Sequence, residues 1–224
     1  MKKAKQGELE FRSWGGRRAG AGRPRKLEAG VSHAPRPDVA RCPVHVTLRV
    51  RDRVWNLRSH RSLHVVEQAL SGVLARPGFR VVHFSLQGDH VHLIVEADGA
   101  RELACGMKAL SIRLSKGMNR MMGSAGPVLE DRYHAHVLRT PRAVRNALAY
   151  VLLNHRSHLA RNGERVGSGG PDPFSSSSAF DGWRTPVVPA ARTSMVTDVP
   201  RSWLLVVGWR RHGLISPDEI PALR

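Results

Sequence analysis

Cysteine is almost missing from this 224-residue chain, whose two thiols are Cys42 and Cys105. They cannot build a disulfide framework or a four-thiolate zinc site, and a reducing compartment suits them best. Acidic residues are scarce as well, 18 Asp plus Glu against 36 Lys plus Arg, which leaves a net charge of +18. With a hydrophobic content of 41%, the chain has the material for a real core, so the charge excess points to a globular protein that meets a polyanion. Aromatic residues make up only 5% of the chain. No apolar run approaches the roughly 20 residues of a membrane span, and MKKAKQGELEF has no apolar signal core, so a cytoplasmic protein without a membrane partner is expected. No internal repeat and no Walker-type phosphate loop is present.

What the chain does have begins with a basic tail. Residues 1–26 hold nine Lys or Arg against Glu8 and Glu10, and too few apolar residues to fold. The stretch from Gly15 to Arg25 interleaves glycine with Arg17, Arg18, Arg23 and Arg25, followed by Lys26, and contains Gly22-Arg23-Pro24. Such a segment can lie along a groove with guanidinium groups on phosphates, and it looks like an AT-hook tail. A solubilising tail is the plainer alternative. Residues 1–43 are expected to be this largely disordered DNA-binding segment.

From residue 44 the pattern changes. Val44, Val46, Leu48 and Val50 alternate with His45, Thr47 and Arg49 as in a half-buried strand. Leu63, Val66, Leu70, Val73 and Leu74 predict a helix over 60–75, and Phe79–Leu86 and His90–Ala97 read as strands of a hairpin turned at Gly88-Asp89. Leu103, Met107, Leu110, Leu114, Met118 and Met121 set a long amphipathic helix, with Lys108, Arg113, Lys116 and Arg120 on its other side. His134–Arg139 is a fourth strand. Thr140-Pro141 then starts a helix running to about His158. The order predicts an α+β fold, a ferredoxin-like β-α-β-β-α-β antiparallel sheet with helices on one face plus an extra helix. Residues 44–160 form this domain, and 161–224 a loop-rich extension with Trp183 as an anchor and a short helical unit over Trp203–Leu214.

Along His90-Val91-His92-Leu93-Ile94-Val95-Glu96, alternation puts His90, His92, Ile94 and Glu96 on one face, expected to be open. The two histidine Cα atoms lie about 6.6 Å apart at the strand rise of about 3.3 Å, close enough for both rings to bind one divalent ion. Glu96, about 13 Å from His92 by the same rise, is too far for an easy third ligand. By itself His-x-His is equally a pair of surface or stacking histidines. On the last helix, Tyr150 and Asn154 are four residues apart and so share a face. The Asn154 carbonyl is a hard oxygen donor that would complete a site for Mg²⁺ or Mn²⁺ with His90 and His92. Tyr150, one turn away, would attack a polarised phosphate, although a helix-edge ring with its hydroxyl in water is the bland reading of this residue alone.

His90-Val91-His92, the Tyr150-Val151-Leu152-Leu153-Asn154 spacing and Asp131-Arg132-Tyr133-His134 together resemble the single-tyrosine HUH transposases, in particular their REP-associated branch, over about residues 44–160. The family helix commonly reads Tyr-Ile-x-x-Asn-Pro or ends in Gln, whereas Asn154 here is followed by His155. The resemblance implies a transposase or nickase that cleaves and rejoins single-stranded, hairpin-bearing DNA. Catalysis would use Mg²⁺ or Mn²⁺ and a transient 5′-phosphotyrosine on Tyr150, with His90, His92 and Asn154 as ligands and a free 3′-OH left behind. It also implies a monomer or homodimer, nucleoid-associated in a bacterial cell. Lys108, Arg113, Lys116, Arg120 and the tail arginines would add salt-dependent affinity for the DNA backbone.

Two other functions remain open on sequence. A ferredoxin-like binding module without catalysis would be expected to show stacking aromatics on its central strands, where this chain has histidines. A hydrolytic nuclease would use activated water and dispense with Tyr150. Tyr133 is the alternative nucleophile but has no amide four residues on. His45, His83, His134 and His136 also fall on the sheet and read more readily as hydrogen-bonding or phosphate-contacting residues than as ligands.

Overall fold

The computed structural model describes residues 39–161, 163, 171–187 and 196–221. The tail arginines and Lys26 lie outside them. Four strands, β1 (Val44–Arg49), β2 (Phe79–Leu86), β3 (His90–Ala97) and β4 (His134–Val137), form one sheet in the order β2-β3-β1-β4. Every neighbouring pair is antiparallel. With α1 (His60–Ser71) between β1 and β2, and α2 (Ala100–Met122) between β3 and β4, this is the expected ferredoxin-like order.

The first face is built from the alternation seen in sequence. Val44, Val46 and Leu48 of β1 and Val91, Leu93 and Val95 of β3 are buried with Leu63, Val66 and Leu70 of α1 and Leu103, Met107, Leu110, Leu114 and Met118 of α2. Gly106 lets α2 sit on the sheet, because a Cβ there would run into the Phe79 ring. Gly123 ends α2 in the left-handed region at φ 62°, and its neighbour Ser124 donates back to the Asn119 carbonyl at 2.9 Å. Helix α1 is shorter than its apolar spacing predicts: it stops at Ser71, and Val73 is buried from a following turn instead.

The second face is not open. Helix α3 (Pro141–Arg161), started by Thr140 Oγ1 accepting from Ala143 N, lies across it with Val144, Leu148, Val151 and Leu152 packed on Val82 and Ile94. The extension completes this second core with Phe180, Leu204, Leu205, Trp209 and Ile215. It includes the short helix α4 (Trp203–Val206) and a 3-10 turn at Gly208–His212, where the sequence placed a helical unit. Trp183 anchors as expected, donating its indole N–H to the Ser177 carbonyl at 3.0 Å. Consequently Ile94 and Glu96, expected on an open face, are buried at 0% and 3% exposure.

The extension also covers the outer edge of β2. Leu86 N donates to Phe174 O, Ser176 Oγ serves both backbone groups of Phe84, and Asp198 does the same for Val81, so the edge is not left bare. Arg58 closes a two-pronged ion pair on the buried Asp172, both contacts at 2.9 Å. Arg145 of α3 makes a second such pair with Glu219, again at 2.9 Å twice. Among the described residues no helix is long and apolar enough to cross a membrane.

Candidate active site

The strand register brings His45, Thr47, His90 and His92 to the face that α3 covers. β1 pairs with β3 so that Thr47 faces His92 and His45 faces Ile94. The rings of His90 and His92 are stacked, 9° from parallel with centroids 6.0 Å apart, as the i, i+2 spacing predicts. Each ring spends its Nδ1 on the protein. With the proton there, His90 donates to the Asp89 carboxylate at 2.6 Å, and His92 to Thr47 Oγ1 at 3.2 Å, with His45 Nε2 3.3 Å away. Held this way, both imidazoles keep Nε2 as a lone pair, the arrangement in which a neighbouring carboxylate or hydroxyl orients a metal-binding histidine.

Burial keeps the rings of His92 and His45 neutral. The pKa of His92 falls to about 3, first by loss of water and then through the neighbouring His45 and His90. His45 falls to about 4, again chiefly by burial, with the charge of His136 adding to it. Neutral imidazole is the form that binds a metal ion, so no proton has to be displaced from these two rings near pH 7.

From the other side, α3 delivers Tyr150. Its ring stands edge-on to His92 at 5.3 Å and to His45 at 5.6 Å. Two turns further, His158 is close enough for its charge to be felt at His92. Asn154 lies on the same helical face between these two residues, which puts it over the histidine pair. It is fully buried, and neither its Oδ1 nor its Nδ2 has a hydrogen-bond partner among the described residues. A buried amide left without partners costs about 1–3 kcal/mol, so its retention in a helix core points to a ligand. Among the described residues no three His, Cys, Asp or Glu side chains converge at metal-binding distance. A third ligand from another residue type, such as this amide oxygen, fits that set.

Other candidates separate. Glu96 is not in the site; it accepts from Arg80 Nε at 3.2 Å, Arg201 N at 2.9 Å and Ser202 N at 2.8 Å, and so secures α4. His83 turns away to Ser176 and the Phe180 ring. Tyr133 packs against the first core, on the other side of the sheet from the histidines. Lys108, Arg113, Lys116 and Arg120 are exposed on α2, which covers the sheet face opposite Tyr150. His45 is the residue that sequence reasoning left outside the site. Its signal was the polar side of β1, legible once β1 is placed beside β3.

Residues 38–139 match the family model described as "Transposase IS200 like". The fold is similar to that of a REP-associated tyrosine transposase solved bound to a REP hairpin, at 16% identity and a TM-score of 0.51, over 77% of this chain and all of that one. A candidate transposase of Deinococcus radiodurans R1 overlaps 48% of this chain and 85% of its own at 15% identity and a TM-score of 0.36. A bacterial tRNA(His) guanylyltransferase-like protein in complex with GTP overlaps 55% and 69% at 12% identity and a TM-score of 0.39. No curated relative matches in sequence. Over residues 38–139 the chain is similar to the IS200-like transposases, and its strand order is that of the transposase fold just described.

Proposed function

We propose that the protein cleaves and rejoins single-stranded DNA carrying a hairpin, through a covalent bond between Tyr150 and a 5′ phosphate. One observation carries this reading: on a single covered face, His90 and His92 stack with Nδ1 occupied and Nε2 free, the Tyr150 ring stands against His92, and on the same helix lies a buried amide that has no partner among the described residues. The REP hairpin held by the structurally similar transposase supports DNA of that kind as the substrate.

His90, His92 and Asn154 are the residues that would hold Mg²⁺ or Mn²⁺. Such an ion, when bound, polarises the phosphate and offsets its charge. Tyr150 then needs only to be placed. Its Oη forms the new bond to phosphorus as the bond to the 3′ oxygen breaks, the phenol losing its proton and the 3′ oxygen gaining one. Because one phosphodiester replaces another, no nucleotide hydrolysis is required. Rejoining is the same exchange in reverse. The packed wall of α3 fixes the ring against His92 and keeps the attack geometry from wandering.

Incubation with a labelled hairpin-bearing single strand and Mn²⁺, followed by a denaturing gel, tests this. Wild type gives a protein–DNA adduct and a shortened strand. Tyr150→Phe loses both while still binding DNA. Continued cutting without adduct by that variant would instead assign a hydrolytic nuclease, and no cutting by wild type a binding module.

A further inference from the structure

Along β3, about 13 Å beyond His92 at the strand rise and on the same face, Glu96 lines a cleft of about 440 Å³. Its walls come from both parts of the chain: Arg41 ahead of β1, Arg80 and Asp98 at the ends of β2 and β3, and Arg201 and Trp203 from the extension. Charge is unevenly balanced there. Arg80 is used up, bridging Glu96 at 3.2 Å and Asp98 at 3.4 Å, and Glu96 is further neutralised by two backbone N–H groups. The guanidinium groups of Arg41 and Arg201 are both exposed and form no ion pair or hydrogen bond with any described residue. Next to them Trp203 keeps 49% of its surface in water, and the guanidinium of Arg211 stands 4.9 Å from its ring centroid.

The half-exposed indole offers a flat apolar face, and the two exposed cations without counter-charges beside it give an anionic partner a complementary surface. An aromatic platform flanked by cationic side chains is the arrangement by which proteins hold an unpaired base and its phosphates. We propose that this cleft is a second subsite for single-stranded DNA, in which a base stacks on Trp203 and its flanking phosphates meet Arg41 and Arg201. It would hold the strand away from the tyrosine. The proposal takes DNA as the substrate from the function proposed above, but Trp203, Arg201 and Arg211 lie outside the residues that match the family model.

The test uses the full chain with Tyr150→Phe as parent, in EDTA, so that no turnover occurs. Affinity for a fluorescent single-stranded oligonucleotide is measured by anisotropy across a salt series, beside a duplex of the same sequence. Arg41→Gln with Arg201→Gln removes two phosphate contacts and should reduce the slope of log K against log salt by about 1.4, at roughly 0.7 per single-strand phosphate. Trp203→Ala should weaken single-strand binding by roughly 5- to 150-fold and duplex binding far less. Equal loss on both DNAs would overturn the stacking role. Parental affinity and slope in both variants would overturn the subsite. The arginine variant alters only exposed groups without contacts, so it stays informative if Trp203→Ala folds poorly. Catalysis is read separately: a protein with Tyr150 intact that makes no adduct, while the cleft variants lose affinity, removes the tyrosine reading and leaves the subsite standing.

Discussion

Replacing Asn154 by leucine should make the metal-free protein more stable. Its amide is wholly buried on α3 and has no hydrogen-bond partner among the described residues. Such a group costs about 1–3 kcal/mol, and leucine, with the same branched heavy-atom skeleton, removes that cost without opening a cavity. At about 2–4 °C per kcal/mol for a protein of this size, melting in EDTA should rise by roughly 2–12 °C. Manganese reverses the comparison. An ion at a hundred times its Kd stabilises the wild-type fold by about 2.7 kcal/mol, and the variant, left with His90 and His92, should gain much less. Differential scanning fluorimetry with EDTA and with a Mn²⁺ series reads both effects. The reasoning fails if Asn154→Leu melts lower in EDTA, or if it keeps the full manganese-dependent rise. Stability given up at one buried position in exchange for a ligand is the expected signature of a functional site.

Other outcomes follow from the packing and charges. Gly106→Ala forces a methyl into the buried Phe79 ring and should cost about 1–3 kcal/mol, visible as a lower urea midpoint at unchanged m. Asp172→Ala leaves Arg58 without its two-pronged partner and strips an acceptor from Phe174 N; a loss of about 3–5 kcal/mol is expected, smaller when Arg58→Met is added. His45 and His83, with pKa values near 4, and His92, near 3, stay neutral in the fold while an unfolded histidine protonates near 6.5. Stability from these groups is therefore complete above pH 6.5 and falls with acid towards pH 4 and 3, by at most about 1.4 kcal/mol per pH unit for each histidine. A denaturation series from pH 7.5 to 4 that stays flat would contradict this. Deleting residues 1–26, which hold nine Lys or Arg, should flatten the salt dependence of DNA binding while leaving cleavage of saturating substrate.

Much of the architecture could be read from residue order because the signals were periodic. Alternation in Val44–Arg49 and His90–Ala97, and the three-and-four spacing from Leu103 to Met118, each had a single structural solution. The i, i+2 histidines and the i, i+4 pair Tyr150 and Asn154 were legible for the same reason. The cover on the second face was not. Its material beyond α3, Phe180 and the turns around Trp209, lacks any period, because loops and 3-10 turns bury isolated side chains rather than stripes. Glu96 shows the consequence. A carboxylate on a strand reads as solvent-facing, and only the tertiary fold supplies the Arg80 guanidinium and the two backbone N–H groups that let it be buried. Likewise His45 reaches His92 from 47 residues away, through strand pairing that no local pattern encodes.

The ion pair between Arg145 and Glu219 joins residues 74 positions apart, and it holds the helix that carries Tyr150. On a ribosome, that helix emerges well before its second fastening is made. Until Leu204, Trp209 and Ile215 also arrive, the tyrosine helix rests on the sheet without the rest of its core. A nascent or truncated chain thus has the strands and the histidines but a loosely seated Tyr150. The proposed cleavage therefore depends on residues 204–219 being in place against α3.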